Sequence, residues 1–168
     1  MTGTAAQHFL LIKQGDHTPD GVRLNALQAA KALLGAGVWP LWTRTPCKLL
    51  VKAGDRVAIY LAGTNNQAVV ATATVREKKL WTASMLRAYP LCLSGVPEQV
   101  LMLGDVVELK APVRIADHLD RLDFIGANKA KWGVRLMGGM RSISVDDFQL
   151  LTSIGGQPHS AGSTGIAA

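Results

Sequence analysis

Histidines, carboxylates and indole rings are the groups in this chain whose chemistry could define a function, so their spacing is read first. His8, His17, His118 and His159 have no partner four residues away and no nearby Cys-x-x-Cys pair, which argues against zinc ligation. Asp117, Asp120 and Asp123 recur at three-residue intervals, the spacing of a solvated helical face rather than of a general acid–base pair. There is no Gly-x-Ser-x-Gly, no glycine loop ahead of a Lys-Ser/Thr and no kinase signature. Ser94 and Ser142 have no evident base. The reading is therefore of a non-enzyme, with no catalytic residue, metal or cofactor. What remains is a set of aromatic residues beside cations: Trp39, Trp42, Tyr60 and Trp132, among only nine aromatics in the chain. Each alone is more simply a core residue. Trp81, in an ambiguous segment, is read as core.

The elements that must position these rings are organised around residues 52–75. Lys52-Ala53-Gly54-Asp55 reads as a turn, after which Val57, Ile59 and Leu61 alternate with Arg56, Ala58 and Tyr60. Gly63 and the Asn pair after it tolerate the positive φ of a hairpin bend. Gln67 to Val75 returns with Val69, Ala71, Ala73 and Val75 on one face. A hairpin apolar on one side and small on the other suits the wall of a compact barrel.

Around it, His8 to Ile12 reads as a buried first strand. Asn25 caps a helix that carries Leu27, Ala30 and Leu34 inward and ends at Gly35-Ala36-Gly37. Val38 to Lys48, with two tryptophans and two prolines, has no period and reads as a packed loop able to hold binding residues. After exposed Glu77-Lys78-Lys79, Leu80 to Leu93 suggests a short helix around Met85 and an extended piece from Pro90. A strand covers Gln99 to Leu109 and ends at Pro112. Ile115, Leu119 and Leu122 fit a short amphipathic helix. Trp132 to Met137 alternates like a strand, Gly138-Gly139 bends it, and Arg141-Ser142-Ile143 starts another pairing. Ser144 caps a last helix with Phe148 and Leu151 inward.

The 168 residues, 48% of them hydrophobic, predict one domain with a true core, over 8–154. Residues 1–7 read as a flexible lead-in and the Gly/Ser-rich 155–168 as a disordered tail. Cys47 and Cys92 read as buried free thiols, and with no signal peptide or apolar span the expectation is a soluble, cytoplasmic protein without a membrane partner. The net charge of +6 is lopsided: residues 1–87 hold 11 Lys/Arg against 4 Asp/Glu, residues 88–168 hold 7 against 8. A basic N-terminal half favours a polyanionic partner. The fold class expected is α+β, a small mixed or antiparallel barrel of five to six strands with short peripheral helices.

Trp42, then Gly54-Asp55-Arg56-Val57 with Tyr60 and Gly63, then a strand ending in Val75, resembles the EVE domain, a PUA-like family related to YTH and ASCH domains. Leu109-Lys110-Ala111-Pro112-Val113-Arg114-Ile115 is similar to its strand, Pro-Val and short-helix step. Gly138-Gly139-Met140-Arg141-Ser142-Ile143-Ser144 with Asp147-Phe148 is similar to its closing step. The ordered set covers most of residues 8–151. The resemblance implies a barrel with a pocket at one end that holds an extruded, modified base between aromatic rings, with DNA or RNA carrying that base as partner. It places Trp42 at the floor of the pocket, with Trp39 as the other residue that could take that position. Thr43 and Arg44 would face the base or its phosphate, and Gly63 would bring backbone close to the ligand. Tyr60 and Trp132 complete the expected pocket. Arg44, Lys48, Arg76, Lys78, Lys79 and Arg141 are the expected phosphate contacts. Modified cytosine in DNA is the leading ligand. The alternatives are an RNA-binding module indifferent to modification, an ASCH-type nucleoside hydrolase using Lys48 and Glu77, or a protein-interaction domain whose aromatics are all core.

Overall fold

A computed structural model describes residues 4–18, 20–63, 66–88 and 96–153. The expected tail at 155–168, the extended piece from Pro90 and Cys92 lie outside the described residues, as does the start of the lead-in. The lead-in's last residue is tied down: the Gln7 backbone and side chain both donate to the Asp55 carboxylate.

Six strands form one curled, half-barrel sheet. They are β1 (His8–Lys13), β4 (Val38–Leu41), β5 (Arg56–Leu61), β6 (Ala68–Leu80), β7 (Gln99–Arg114) and β8 (Met140–Ile143). Their order is β4-β7-β6-β5-β1-β8, with β1 and β5 parallel and all other neighbours antiparallel. A two-residue ribbon, β2 (Asp16–His17) with β3 (Arg23–Leu24), precedes helix α1 (Ala26–Ala36). Helices α2 (Ala83–Ala88) and α3 (Val145–Ser153) and three 3-10 segments complete the fold. This is the expected α+β architecture, built on the expected hairpin.

Both sheet faces are covered, which is why the strands carry apolar residues at consecutive positions. On one face Phe9, Leu11, Val57, Ile59, Leu61, Ala71, Ala73 and Val75 pack under α1. On the other, Leu10, Ile12, Ala58, Tyr60 and Val69 pack under α3 and the 3-10 segments. Val69 thus faces away from Ala71 and Ala73, contrary to the alternation expected, because the ladder slips at Val70 and reverses side-chain parity.

Other expectations change for local physical reasons. Asn25 does cap α1, in a reciprocal box with Gln28, and Gly37 closes it at φ 69°. The buried face, however, is Ala26, Ala29, Ala30 and Leu33, rotated one residue from that expected, and Leu27 is exposed. Val38–Leu41 is a strand, not a loop: it forms a sheet edge, where Pro40, which has no N–H to donate, is tolerated because β4 is paired on one side only. β6 runs on to Leu80, so Lys78 and Lys79 belong to a ladder with β7. Pro112 does not end β7, because four residues bulge out between Glu108 and Val113 and take it out of the ladder. Residues 129–136 are 3-10 helix, not strand; the apparent alternation of Trp132, Val134 and Leu136 leaves Val134 exposed. Ser144 caps α3, accepting from Asp147 N at 3.0 Å, and Phe148 and Leu151 turn inward as expected.

Candidate functional site

The two end strands, β4 and β8, do not pair with each other. A cavity of about 340 Å³ opens beside that seam, near the lower end of small-ligand pockets at about 300–1,000 Å³. From one side it is lined by Trp39 and Pro40 of β4, then Trp42 and Thr45. The other side carries Gly138 and Gly139, which lead into β8. Leu33 of α1 and Ile12 to Asp16, where β1 ends, complete it.

Each wall has a local cause. Gly138 and Gly139 lie at φ 97° and 92°, a conformation that L side chains resist, and Gly139 O accepts Ile12 N at 2.9 Å. A Cβ on Gly138 would come within 2.9 Å of Pro46 Cγ, so only glycine lets the 45–47 turn sit against this bend. Trp42 is fixed by a two-way exchange with Thr45: its N–H donates to Thr45 Oγ1 at 2.8 Å, and its carbonyl accepts Thr45 N at 3.0 Å.

The polar equipment is sparse. Lys13 Nζ lies 3.0 Å from Asp16 Oδ2, with the two side chains only 12% and 5% exposed. Asp16 Oδ1 also accepts the N–H of His17 at 2.9 Å. The Trp42 indole Nε1 is buried and has no hydrogen-bond partner. A buried donor left unpaired costs about 1–3 kcal/mol, a cost that the wall bears in the structure as it stands. The arrangement offers the half-buried Trp42 ring, an ammonium and a carboxylate, while Trp39, 4% exposed, stands in the wall as a core residue. A flat heterocycle with acceptor and amino groups on its edge matches that set.

Of the expected pocket residues, Trp39 and Trp42 come together here. Thr43 and Arg44 follow Trp42 and are exposed. Tyr60 does not join them: its side chain sits on the opposite sheet face, 3% exposed, and burial pushes its hydroxyl pKa up to about 12. Trp132 packs against that same opposite cluster. Gly63 belongs to the β5–β6 turn and does not line the cavity. The alternation on β5 explains the Tyr60 error, since neighbours on a strand face opposite ways.

The expected phosphate contacts are largely engaged elsewhere. Lys48 pairs with Glu98, and Lys78 Nζ donates to Lys48 O at 2.7 Å. Arg76 lies 2.8 Å from Asp105. Arg141 lies over the Phe124 ring and donates to the Arg135 and Phe124 carbonyls, so it ties 3-10 segments to β8. Lys79 is half-buried on β6. Arg44 is the one of this group adjacent in sequence to the cavity wall. Neither Lys48 nor Glu77 lines the cavity. Among the described residues, no three His, Cys, Asp or Glu side chains are grouped to hold a metal, and no helix is long and apolar enough to cross a membrane.

Sequence reasoning missed Lys13, Asp16, Pro40, Thr45 and the Gly138-Gly139 wall. A signal for Lys13 existed: a lysine closing the apolar run His8 to Ile12 sits where a buried strand should end in another apolar residue.

No family model matches the chain, and no curated protein matches its sequence. Solved structures do resemble it. Human THYN1, crystallised in complex with 5-methylcytosine-containing DNA, superposes with a TM-score of 0.61 at 12% identity, over 90% of this chain and 99% of that one. The ASCH protein of Zymomonas mobilis gives 0.53 at 14% identity over 88% and 95%. The N-terminal domain of Staphylothermus marinus McrB gives 0.54 at 10% over 96% and 99%. At these identities what is shared is the fold. The chain has the PUA-like fold of EVE and ASCH domains.

Proposed function

We propose that this protein is a nucleic-acid-binding module that holds one extruded base, a modified cytosine of DNA in first place, against Trp42 in the cavity whose wall Trp39 completes. The observation carrying this reading is the seam cavity: Trp42 and Trp39 in the wall with the Lys13–Asp16 pair, around about 340 Å³. The likeness in fold to THYN1 bound to 5-methylcytosine DNA supports the choice of ligand class.

The energetics favour a reader over a tight binder. Extruding a base costs a few kcal/mol, and stacking returns about 1–3 kcal/mol per base. Stacking therefore about balances extrusion, and net affinity comes from phosphate contacts. One methyl group in an apolar pocket is worth about 1–3 kcal/mol, so discrimination between modified and unmodified base is roughly 5- to 150-fold.

The test is a tryptophan-fluorescence titration with short oligonucleotides bearing cytosine, 5-methylcytosine, adenine or N6-methyladenine, at two salt concentrations. Quenching that favours one modified base is expected, and Trp42→Ala removes both quench and preference while leaving the melting transition cooperative. Equal affinity for every oligonucleotide would point to the RNA-module reading. Unchanged affinity in Trp42→Ala would retire the cavity.

A second reading, hydrolysis of a small nucleoside derivative, has one observation in its favour: a lysine and a carboxylate lie together in the cavity, although not the Lys48 and Glu77 expected for it. Turnover of a small nucleoside derivative by the wild type, lost in the Lys13→Met/Asp16→Asn double variant that keeps its stability, would establish it.

A further inference from the structure

We propose that the groove next to the base cavity is a phosphodiester track, with Arg23 as its cation and His17 as a second donor; this rests on the reading of the cavity given above. A second concavity of about 540 Å³ is lined by Gly15, Asp16, His17, Arg23, Leu24, Asn25 and Gln28. It shares Gly15 and Asp16 with the base cavity as a common wall. A strand that inserts one base into the first therefore carries its neighbouring backbone charge past the second.

Three features make this groove favourable to an anion. His17 and Arg23 are direct cross-strand partners in the β2–β3 ribbon, so their side chains leave from the same face. Both are exposed, and among the described residues neither forms an ion pair. The carboxylate on the shared wall is offset by Lys13 at 3.0 Å, so it does not repel a phosphate as a lone anion would. In addition, α1 begins at this groove with no acidic residue in its first turn, so the positive end of its dipole faces the groove. Of the expected phosphate contacts, Lys48, Lys78 and Arg141 are held in internal contacts, Arg76 pairs with Asp105 at the surface and Lys79 lies on β6, so Arg23 in the groove and Arg44 beside Thr45 are the cations next to the two cavities.

A phosphate contact positions a strand without reading its sequence. Arg23→Gln should therefore weaken binding of modified and unmodified oligonucleotides by the same factor. It should also lower the slope of log Kd against log salt by about 0.7 to 0.9, the share of one released counterion. Arg23 is exposed, so the variant should melt as the wild type does. His17→Gln in the same titration is expected to have the smaller, uniform effect of a neutral donor. The proposal is overturned if Arg23→Gln leaves the salt slope and affinity unchanged, or if its loss is confined to the modified oligonucleotide. Failure of the base reading looks different: the wild type then binds without modification preference while the Arg23 slope change persists. If the wild type binds no oligonucleotide, both ideas fall.

Discussion

Lys13 and Asp16 offer a perturbation whose size can be worked from their burial. An exposed ion pair contributes about 0.2–1 kcal/mol, whereas removing one partner of a buried pair costs about 3–5 kcal/mol because the other charge is stranded. With side chains 12% and 5% exposed, this pair belongs nearer the second case. Lys13→Met removes the ammonium from the carboxylate, the deeper of the two, which keeps the His17 N–H, and should cost about 3 kcal/mol, the low end of that range. Asp16→Asn keeps an acceptor for His17 N and strands an ammonium whose flexible stem can turn toward the open cavity, so about 1–2 kcal/mol is expected. The double variant strands no charge and should lie within about 1 kcal/mol of the wild type. The cycle therefore predicts a coupling of about 3 kcal/mol, and Lys13→Met should lower Tm by about 6–12 °C at 2–4 °C per kcal/mol. Urea unfolding of the four proteins measures it. Additivity within about 0.5 kcal/mol would refute the claim that the pair is a buried one. Oligonucleotide titration of the double variant then separates roles, since a protein restored in stability but not in binding shows that the charges serve recognition.

Gly138→Ala places a Cβ against Pro46 at a φ of 97°, so it should destabilise by about 1–3 kcal/mol, seen as a lower urea midpoint with unchanged m. A wild-type midpoint would show that the 45–47 turn yields freely. Tyr60 gives a pH prediction. Its folded pKa of about 12 exceeds the usual 10, so the folded state keeps a proton that the unfolded chain releases. That contribution is complete below pH 10 and is lost as pH rises toward 12, up to about 2–3 kcal/mol. Alkaline unfolding that tracks tyrosinate absorbance checks it, and Tyr60→Phe should flatten the decline; an equal decline in that variant would refute the assignment.

The fold was legible where neighbouring residues decide structure. The 52–75 hairpin, the Asn25 cap, the Gly37 stop and the Ser144 cap are all local, and each stands where its residues put it. What escaped was non-local. Val38–Leu41 becomes a strand because β7, sixty residues on, supplies its ladder. Val69 and Pro112 change face or leave the ladder through slips in the β6–β7 pairing that no single stretch announces. The site divided along the same line. Trp39 and Trp42 were visible as aromatics near an irregular stretch, but Tyr60 and Trp132 share their chemistry and lie on the far side of the sheet. Counting cations was equally blind, since Lys48 and Arg76 spend their charge on Glu98 and Asp105.

β4 and β8 are each gripped by one neighbour only, β7 and β1. What holds β4 on its open side is packing alone, since all four of its residues are buried and Val38, Trp39 and Leu41 belong to the core. The rims of the opening are therefore set by the same layers that stabilise the fold. A descendant sequence could retune what fits between them most cheaply at Gln14, the exposed side chain of the lining.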